Sequence, residues 1–250
     1  RTPYSRSGDG RAALGPMIRE YVISEGMESL GIPTTRSLSV TATGESVLRS
    51  TPLPGAILTR TAKSHIRVGT FQYAAALGDK ENLSQLLVYT VDRHYPELRN
   101  ADDLPYAFFQ AVLDRQADLV SRWMLVGFVH GVMNTDNVSI AGETIDYGPC
   151  AFLDVYHPET VFSSIDHQGR YAFQNQPSIT QWNLARLAES LVQVVPGNPE
   201  DAVGKFVEIL ETFPSCYGKY FQTGANAKLG LTTMEKEDSA IYSKSWKNHN

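Results

Sequence analysis

The sequence predicts an α+β chain, in which a helix with strands precedes a mainly helical body holding one β-hairpin. Three observations predict it. Apolar residues recur at helical spacing between residues 14 and 30, and the pattern turns strand-like from Arg36 to Ala62. Helical spacing returns from Asp79 onward. Within that helical part, two short β-prone runs flank an Ala-Gly-Glu turn.

Taken in order, Leu14, Ile18, Tyr21, Val22 and Met27 mark the first helix, and Gly31 and Pro33 stop it. Arg36 to Thr43 reads as a strand, Gly44 suits a turn, and Ser46 to Arg49 returns. Ala56 to Ala62 reads as a further strand. Glu81 to His94 and Leu104 to Gly127 read as helices, the second with Phe108, Val112, Leu119, Trp123 and Val126 along one face. Gly127 suits its C-terminal end. Asn137 to Ile140 and Thr144 to Tyr147 form the expected hairpin. Pro177 to Val194 and Glu200 to Phe213 are further helices, and the polar tail after Thr232 is expected to fray. The expected boundaries are 1–70 for the strand-bearing part, 71–231 for the helical body and 232–250 for the tail. Part of a small lobe followed by a large helical lobe is the order of a protein-kinase-like fold.

Bulk properties narrow the function. The chain has 250 residues and is 42% hydrophobic, enough for one large or two small packed domains. A net charge of −5 gives no basic footprint for nucleic acid. No apolar run approaches the roughly 18 residues of a membrane span. Cys150 and Cys216 form neither a disulfide framework nor a C-x-x-C motif, which suits a reducing compartment. The polar Arg1–Gly10 opening is not a signal peptide, lacks an initiator Met, and is expected to lie inside a longer protein.

The chemistry concentrates in His130-Gly-Val-Met-Asn-Thr-Asp-Asn137 and Asp146-Tyr147-Gly148. A protein kinase catalytic loop places an Asn seven residues after its His, and a later Asp-Phe-Gly supplies a second metal ligand. Asn137 and Asp146 match those positions, and their oxygens suit Mg²⁺ beside a triphosphate. The kinase aspartate two residues after the His is here Val132, which cannot accept a proton, while Asp136 stands directly before Asn137. The same residues also suit a plain buried loop and strand exit. His130 has no second His or Cys at ligand spacing and reads as a structural anchor. Trp123, Trp182 and Phe108 read as core aromatics, and Cys150 as a buried thiol.

Longer strings carry a resemblance. Arg1-Thr-Pro-Tyr-Ser-Arg-Ser-Gly-Asp-Gly-Arg11, Gly31-Ile-Pro-Thr-Thr-Arg36, the 130–137 loop and Thr144-Ile-Asp-Tyr-Gly-Pro149 resemble the selenoprotein O family. So do Asp166-His-Gln-Gly-Arg-Tyr171, Asn175-Gln-Pro177 and Trp182-Asn-Leu184. The resemblance runs to about Leu191 and weakens after Val194.

That resemblance implies a kinase-like fold that binds ATP in reversed orientation. AMP passes to Ser, Thr or Tyr hydroxyls of target proteins and pyrophosphate leaves; some members also use UTP. It implies Asp136 as base and Asn137 and Asp146 as ligands of Mg²⁺ or Mn²⁺. Asp9, Gly10, Arg60, Arg67 and Asp146 contact the nucleotide. Glu20 pairs with a lysine that lies upstream of Arg1 in the family. The implied setting is bacterial cytoplasm or mitochondrial matrix. The rival expectations are an ordinary phosphotransferase and a nucleotide-binding fragment without turnover, the latter because the lysine segment is missing from residues 1–250.

Overall fold

The computed structural model describes residues 8–231; the expected polar tail 232–250 and the Arg1–Ser7 part of the opening loop lie outside the described residues. The fold is α+β and divides into two units. One joins residues 8–65 with Glu143–Gly148; the other joins residues 66–142 with 149–231. The sequence reading puts Asp146-Tyr147-Gly148 with the helical body. The fold puts it with the sheet.

In the sheet unit, β1 (Ala12–Ala13) leads into α1 (Leu14–Ser29), followed by β2 (Arg36–Leu48) and β3 (Pro52–Thr61). The strands lie in the order β1-β3-β2, all antiparallel. Gly44 does not end a strand as expected. β2 runs through it with a register shift between Ala42 and Ser46, and the return begins only after Arg49–Thr51. Gly44 sits at φ +74°, where glycine carries no Cβ penalty, so the irregularity is absorbed inside a long strand.

The first helix forms where expected, but only part of its expected apolar face is buried. Ile18 and Val22 are exposed, while Glu20, Ser24 and Met27 are buried. The face toward the sheet is partly polar because it is paired. Ser24 Oγ shares a hydrogen bond with Ser37 Oγ at 3.0 Å, and Arg60 on β3 reaches Glu20. Buried polar groups survive when they are bonded, so apolar spacing alone found Met27 but missed Glu20 and Ser24 on the buried face.

The helical unit contains α2 (Val68–Ala76), α3 (Lys80–His94), α4 (Leu104–Leu125), β4 (Phe128–Val129), β5 (Ala151–Phe152), α5 (Gln176–Leu191), α6 (Pro199–Leu210) and α7 (Phe213–Leu229). Its core is built on α4, whose Phe108, Phe109, Val112, Leu113 and Ala117 are fully buried. Helices α2, α5, α6 and α7 pack around it and each other. The expected α4 face is buried at Phe108, Val112, Leu119 and Trp123, and Gly127 beyond its end takes φ +69°. Helices α2 and α7 had no counterpart in the sequence reading. Trp182 is not a core residue. It is 38% exposed, with Arg170 and Arg186 stacked on its ring at 4.5 and 5.2 Å. Both cysteines are unpaired with each other, and Cys150 is buried. Among the described residues no helix is long and apolar enough to cross a membrane.

The expected hairpin does not form. Ser139 makes an isolated antiparallel bridge with Arg67 in the helical unit, and Thr144 a parallel one with Thr34 in the sheet unit. Each short arm finds backbone partners outside the turn, which two β-prone runs of about four residues cannot reveal from sequence.

The 128–140 stretch, mostly without regular structure, is held by helical side chains. Gln176 of α5 accepts from His130 N at 2.9 Å and donates to Phe128 O at 2.9 Å. Asn183 of α5 donates to Met133 O at 2.9 Å, and Gln116 of α4 to Ser139 O at 2.7 Å. The Tyr95 hydroxyl donates to Ile140 O at 2.7 Å, and burial makes it a much weaker acid than an ordinary tyrosine, so it keeps its proton. Gln176→Leu should lower stability, because a buried group that loses its partner costs about 1–3 kcal/mol. Urea unfolding of the variant should show the reduced midpoint with an unchanged slope.

Candidate functional site

The expected site residues fall into groups that lie in separate units. In the helical unit, Thr135–Asn137 form one 3₁₀ turn, with Asn134 Oδ1 accepting from Asp136 N at 3.1 Å. Asn134 O accepts from Asn137 N at 3.0 Å. The Asn137 amide nitrogen donates to Val132 O at 3.0 Å. That bond turns the amide oxygen away, as a hard-cation ligand would require. The Asp136 carboxylate lies against Gly69 in the first turn of α2.

Arg67 caps the same helix. Its backbone N–H donates to Thr70 Oγ1 at 3.1 Å and its carbonyl accepts from Thr70 N at 3.0 Å. Arg67 Nε is buried with no hydrogen-bond partner among the described residues. A buried guanidinium nitrogen without an acceptor is costly, and an anion is the group that satisfies it. His130 is fully buried, stacks on Trp123 at 5.4 Å, and accepts at Nδ1 from Val132 N at 3.4 Å. It anchors the loop, as the sequence suggests.

In the sheet unit, Asp146 is the only non-glycine residue with positive φ among the described residues, at +69°. That conformation costs an L-residue roughly 1–2 kcal/mol and persists only where neighbours enforce it. Here Thr35 N donates to Thr144 O at 3.0 Å, and Thr144 N to Pro33 O at 2.9 Å. The buried Tyr147 hydroxyl bonds Thr34 Oγ1. Arg19 Nη1 donates to Tyr147 O at 3.0 Å and Gly148 O at 2.6 Å.

Glu20, Arg60 and Asp146 stand together in this unit. Arg60 Nη1 meets Glu20 Oε2 at 3.2 Å. Burial pushes the Glu20 carboxyl up; Arg60 opposes the shift and Asp146 adds to it. The resemblance implied a nucleotide contact for Arg60 and a lysine partner for Glu20, and did not foresee that the two would touch.

Asp9 and Gly10 lie elsewhere in the sheet unit. Asp9 accepts from Arg49 Nη1 at 2.9 Å and from Arg11 N at 2.9 Å. The Arg49 bond above all brings its carboxyl down to about 2. Gly10, at φ +71°, borders a cleft of about 440 Å³ with Arg11, Met17, Thr43, Glu45 and Leu58. Among the described residues no three His, Cys, Asp or Glu side chains are grouped to hold a metal. Within the helical unit, the Asn137 amide oxygen is the kind of hard oxygen that Mg²⁺ takes.

Two expectations follow. Asp146→Gly and Asp146→Ala both remove the carboxylate near Glu20, but only alanine keeps the backbone penalty. Thermal and urea unfolding should therefore place Asp146→Gly above Asp146→Ala by about 1 kcal/mol. For Glu20, the raised value means that the folded state favours the protonated acid. Its contribution is fully present below the ordinary glutamate value of 4.5 and is lost as pH rises through the raised value. Unfolding free energies measured across that interval should fall with pH for this reason, and Glu20→Gln should remove that component.

The chain matches the family described as protein adenylyltransferase SelO over residues 1–247. It is 60% identical over 241 residues to a protein nucleotidyltransferase YdiU of Anoxybacillus flavithermus, covering 96% of this chain and 50% of that protein. It is 60% identical over 242 residues to the protein of the same name in Bacillus cytotoxicus, covering 96% and 49%. The Alcanivorax borkumensis protein of that name is 58% identical over 241 residues, again covering 96% of this chain and 50% of the relative. The chain thus spans about half the length of the curated relatives it matches. Several long strings, the 130–137 loop and the strained Asp146 all lie inside the matched span, and the chain belongs to the protein adenylyltransferase SelO family.

Proposed function

We propose that the protein transfers AMP from ATP to Ser, Thr or Tyr hydroxyls of target proteins and releases pyrophosphate, on a kinase-like fold, with UTP as an alternative donor. The observation that carries this reading is the loop chemistry within a family match over residues 1–247. Val132 stands where a phosphotransferase needs a carboxylate, and Asp136 offers one four residues later. Family membership and the relatives' printed names support a nucleotidyltransferase, and the bacterial relatives are compatible with action in the cytoplasm.

In this reading Asp136 takes the proton of the attacking hydroxyl as general base. Its backbone is fixed by Asn134, so the carboxylate is held rather than sought at the moment of reaction. Asn137 presents its amide oxygen as one metal ligand, and Asp146 its carboxylate as another, each within its own unit. Mg²⁺ or Mn²⁺, when bound, neutralises charge on the phosphate oxygens. Arg67 offers the unpartnered Nε to a phosphate, and Arg60 its guanidinium, shared with Glu20. Asp9 and Gly10 are nucleotide contacts by resemblance. Asp9 is bound to Arg49, so a phosphate approaching it meets that guanidinium as well.

The test is the origin of the label. With Mg²⁺, α-³²P-ATP should mark acceptor protein and pyrophosphate should appear, whereas γ-³²P-ATP should leave it unmarked. Asp136→Ala should lower incorporation by about 10²–10⁴-fold, the range for a lost general base. Transfer of γ-label with ADP as product, or efficient γ-transfer by Val132→Asp, would overturn the reading in favour of a phosphotransferase.

A further inference from the structure

We infer that Gly69, the second residue of α2, is a positioning residue that sets the Asp136 carboxylate; the inference rests on the role proposed for Asp136. A Cβ at position 69 would overlap Asp136 Oδ1, closer than side chains approach one another. It would also stand 3.2 Å from Asp136 Cγ and 3.4 Å from Asp136 Cα. The carboxylate tip would have to turn away, and Cγ would have to give by a few tenths of an ångström as well.

Both partners are tethered. On the loop side, Asp136 N and Asn137 N are both bonded to Asn134, at 3.1 and 3.0 Å. On the helix side, Val68 N donates to Val138 O at 3.0 Å, and Ile140 N to Ile66 O at 3.0 Å. Arg67 and Ser139 pair as an isolated bridge between these two bonds. Residues 66–70 and 134–140 are thus stitched together on both sides of the close approach. Phe71 and Val68, fully buried, fix the helix from beneath.

The need for glycine is not conformational. Gly69 is not among the positive-φ glycines, and it sits in a regular helical turn where alanine would be the better helix former. What forbids a side chain is the carboxylate. One helical turn therefore carries two duties. Arg67 at its start is the phosphate-binding candidate, and Gly69 two residues on sets the distance to the candidate base.

The experiment is Gly69→Ala alone and combined with Asp136→Ala. Each protein receives α-³²P-ATP and Mg²⁺, and label is followed into the protein itself and into a Ser/Thr/Tyr peptide library. Gly69→Ala should lower the maximal rate by about 10²-fold, the effect of misplacing a reacting group by about 1 Å. The half-saturating ATP concentration should stay within about twofold, since a group acting only in the transition state leaves ground-state binding alone. The melting temperature should fall only modestly, because the overlap opposes the gain of alanine as a helix former. Adding Gly69→Ala to Asp136→Ala should change nothing further. A wild-type rate for Gly69→Ala, with Asp136→Ala inactive, overturns the inference and leaves the role of Asp136 standing. An equal loss in both backgrounds also overturns it, because the effect then does not pass through the carboxylate. Absence of label with the wild type, or a wild-type rate for Asp136→Ala, removes the underlying reading and the inference with it.

Discussion

The helical unit depends on one constraint, the satisfaction of backbone polar groups in a largely buried segment without regular structure. Residues 128–140 thread through the unit with only a two-residue strand and one 3₁₀ turn. Such a path leaves many N–H and C=O groups with no ladder or helix to bond them. Gln116, Gln176, Asn183 and Tyr95 supply those bonds, from α4, from α5 and from the residue after α3. The helices therefore act as a frame for the loop as well as for one another. Their polar residues inside an otherwise apolar packing follow from that task.

A framed loop is a stiff loop, and stiffness is what the proposed chemistry requires. A base and a metal ligand on adjacent residues must point different ways. Asn134 fixes the backbone at Asp136, and Val132 O fixes the amide of Asn137. The sheet unit solves a similar problem differently. Asp146 sits in a costly backbone conformation, held by bonds to both sides of it: Thr144 to Pro33 and Thr35, and Arg19 to the carbonyls of Tyr147 and Gly148. Strain at a carboxylate, with neighbours arranged to maintain it, is a common mark of a functional position.

Much of the frame was legible in the sequence. Helices α1, α3, α4, α5 and α6 announce themselves by apolar spacing and stop signals, because burying one stripe is what stabilises them. The errors have physical causes. Helix α1 leaves Ile18, Tyr21 and Val22 exposed while Met27 stays buried, because Glu20–Arg60 and Ser24–Ser37 pairs share the buried side. Trp182 looked like core by spacing, yet its ring is covered by two guanidiniums at the surface. The hairpin failed because its arms bond to Arg67 and Thr34, partners some 70 and 110 positions away, which no local pattern encodes. Asp136, Asn137 and Asp146 were found through the 130–137 and 146–148 strings, and Asp9, Gly10, Arg60 and Arg67 through the family resemblance alone. Gly69 and the Glu20–Arg60 contact were not, since close approach and pairing across a sheet leave no spacing signature. Gln176 and Asn183 did stand in the quoted strings, but their role as loop clamps needed the fold to be seen.

The group around Asp146 shows how far electrostatics supports the metal assignment. Glu20 is a mostly buried acid facing one guanidinium and one carboxylate, and the net effect on it is upward. Arg60 alone therefore does not fully offset the combined cost of burial and the like charge of Asp146. Two remedies exist in such a cluster. Glu20 can keep its proton, or a further cation can enter beside the carboxylates. The first neutralises Glu20 at the expense of its ion pair with Arg60. The second lets Glu20 ionise and relieves the demand on Arg60, whose guanidinium can then also meet phosphate. A divalent ion accompanying a triphosphate supplies that cation together with the anion Arg60 would meet. The two proposed roles, Asp146 as metal ligand and Arg60 as phosphate contact, are in this sense one electrostatic arrangement and not two independent assignments.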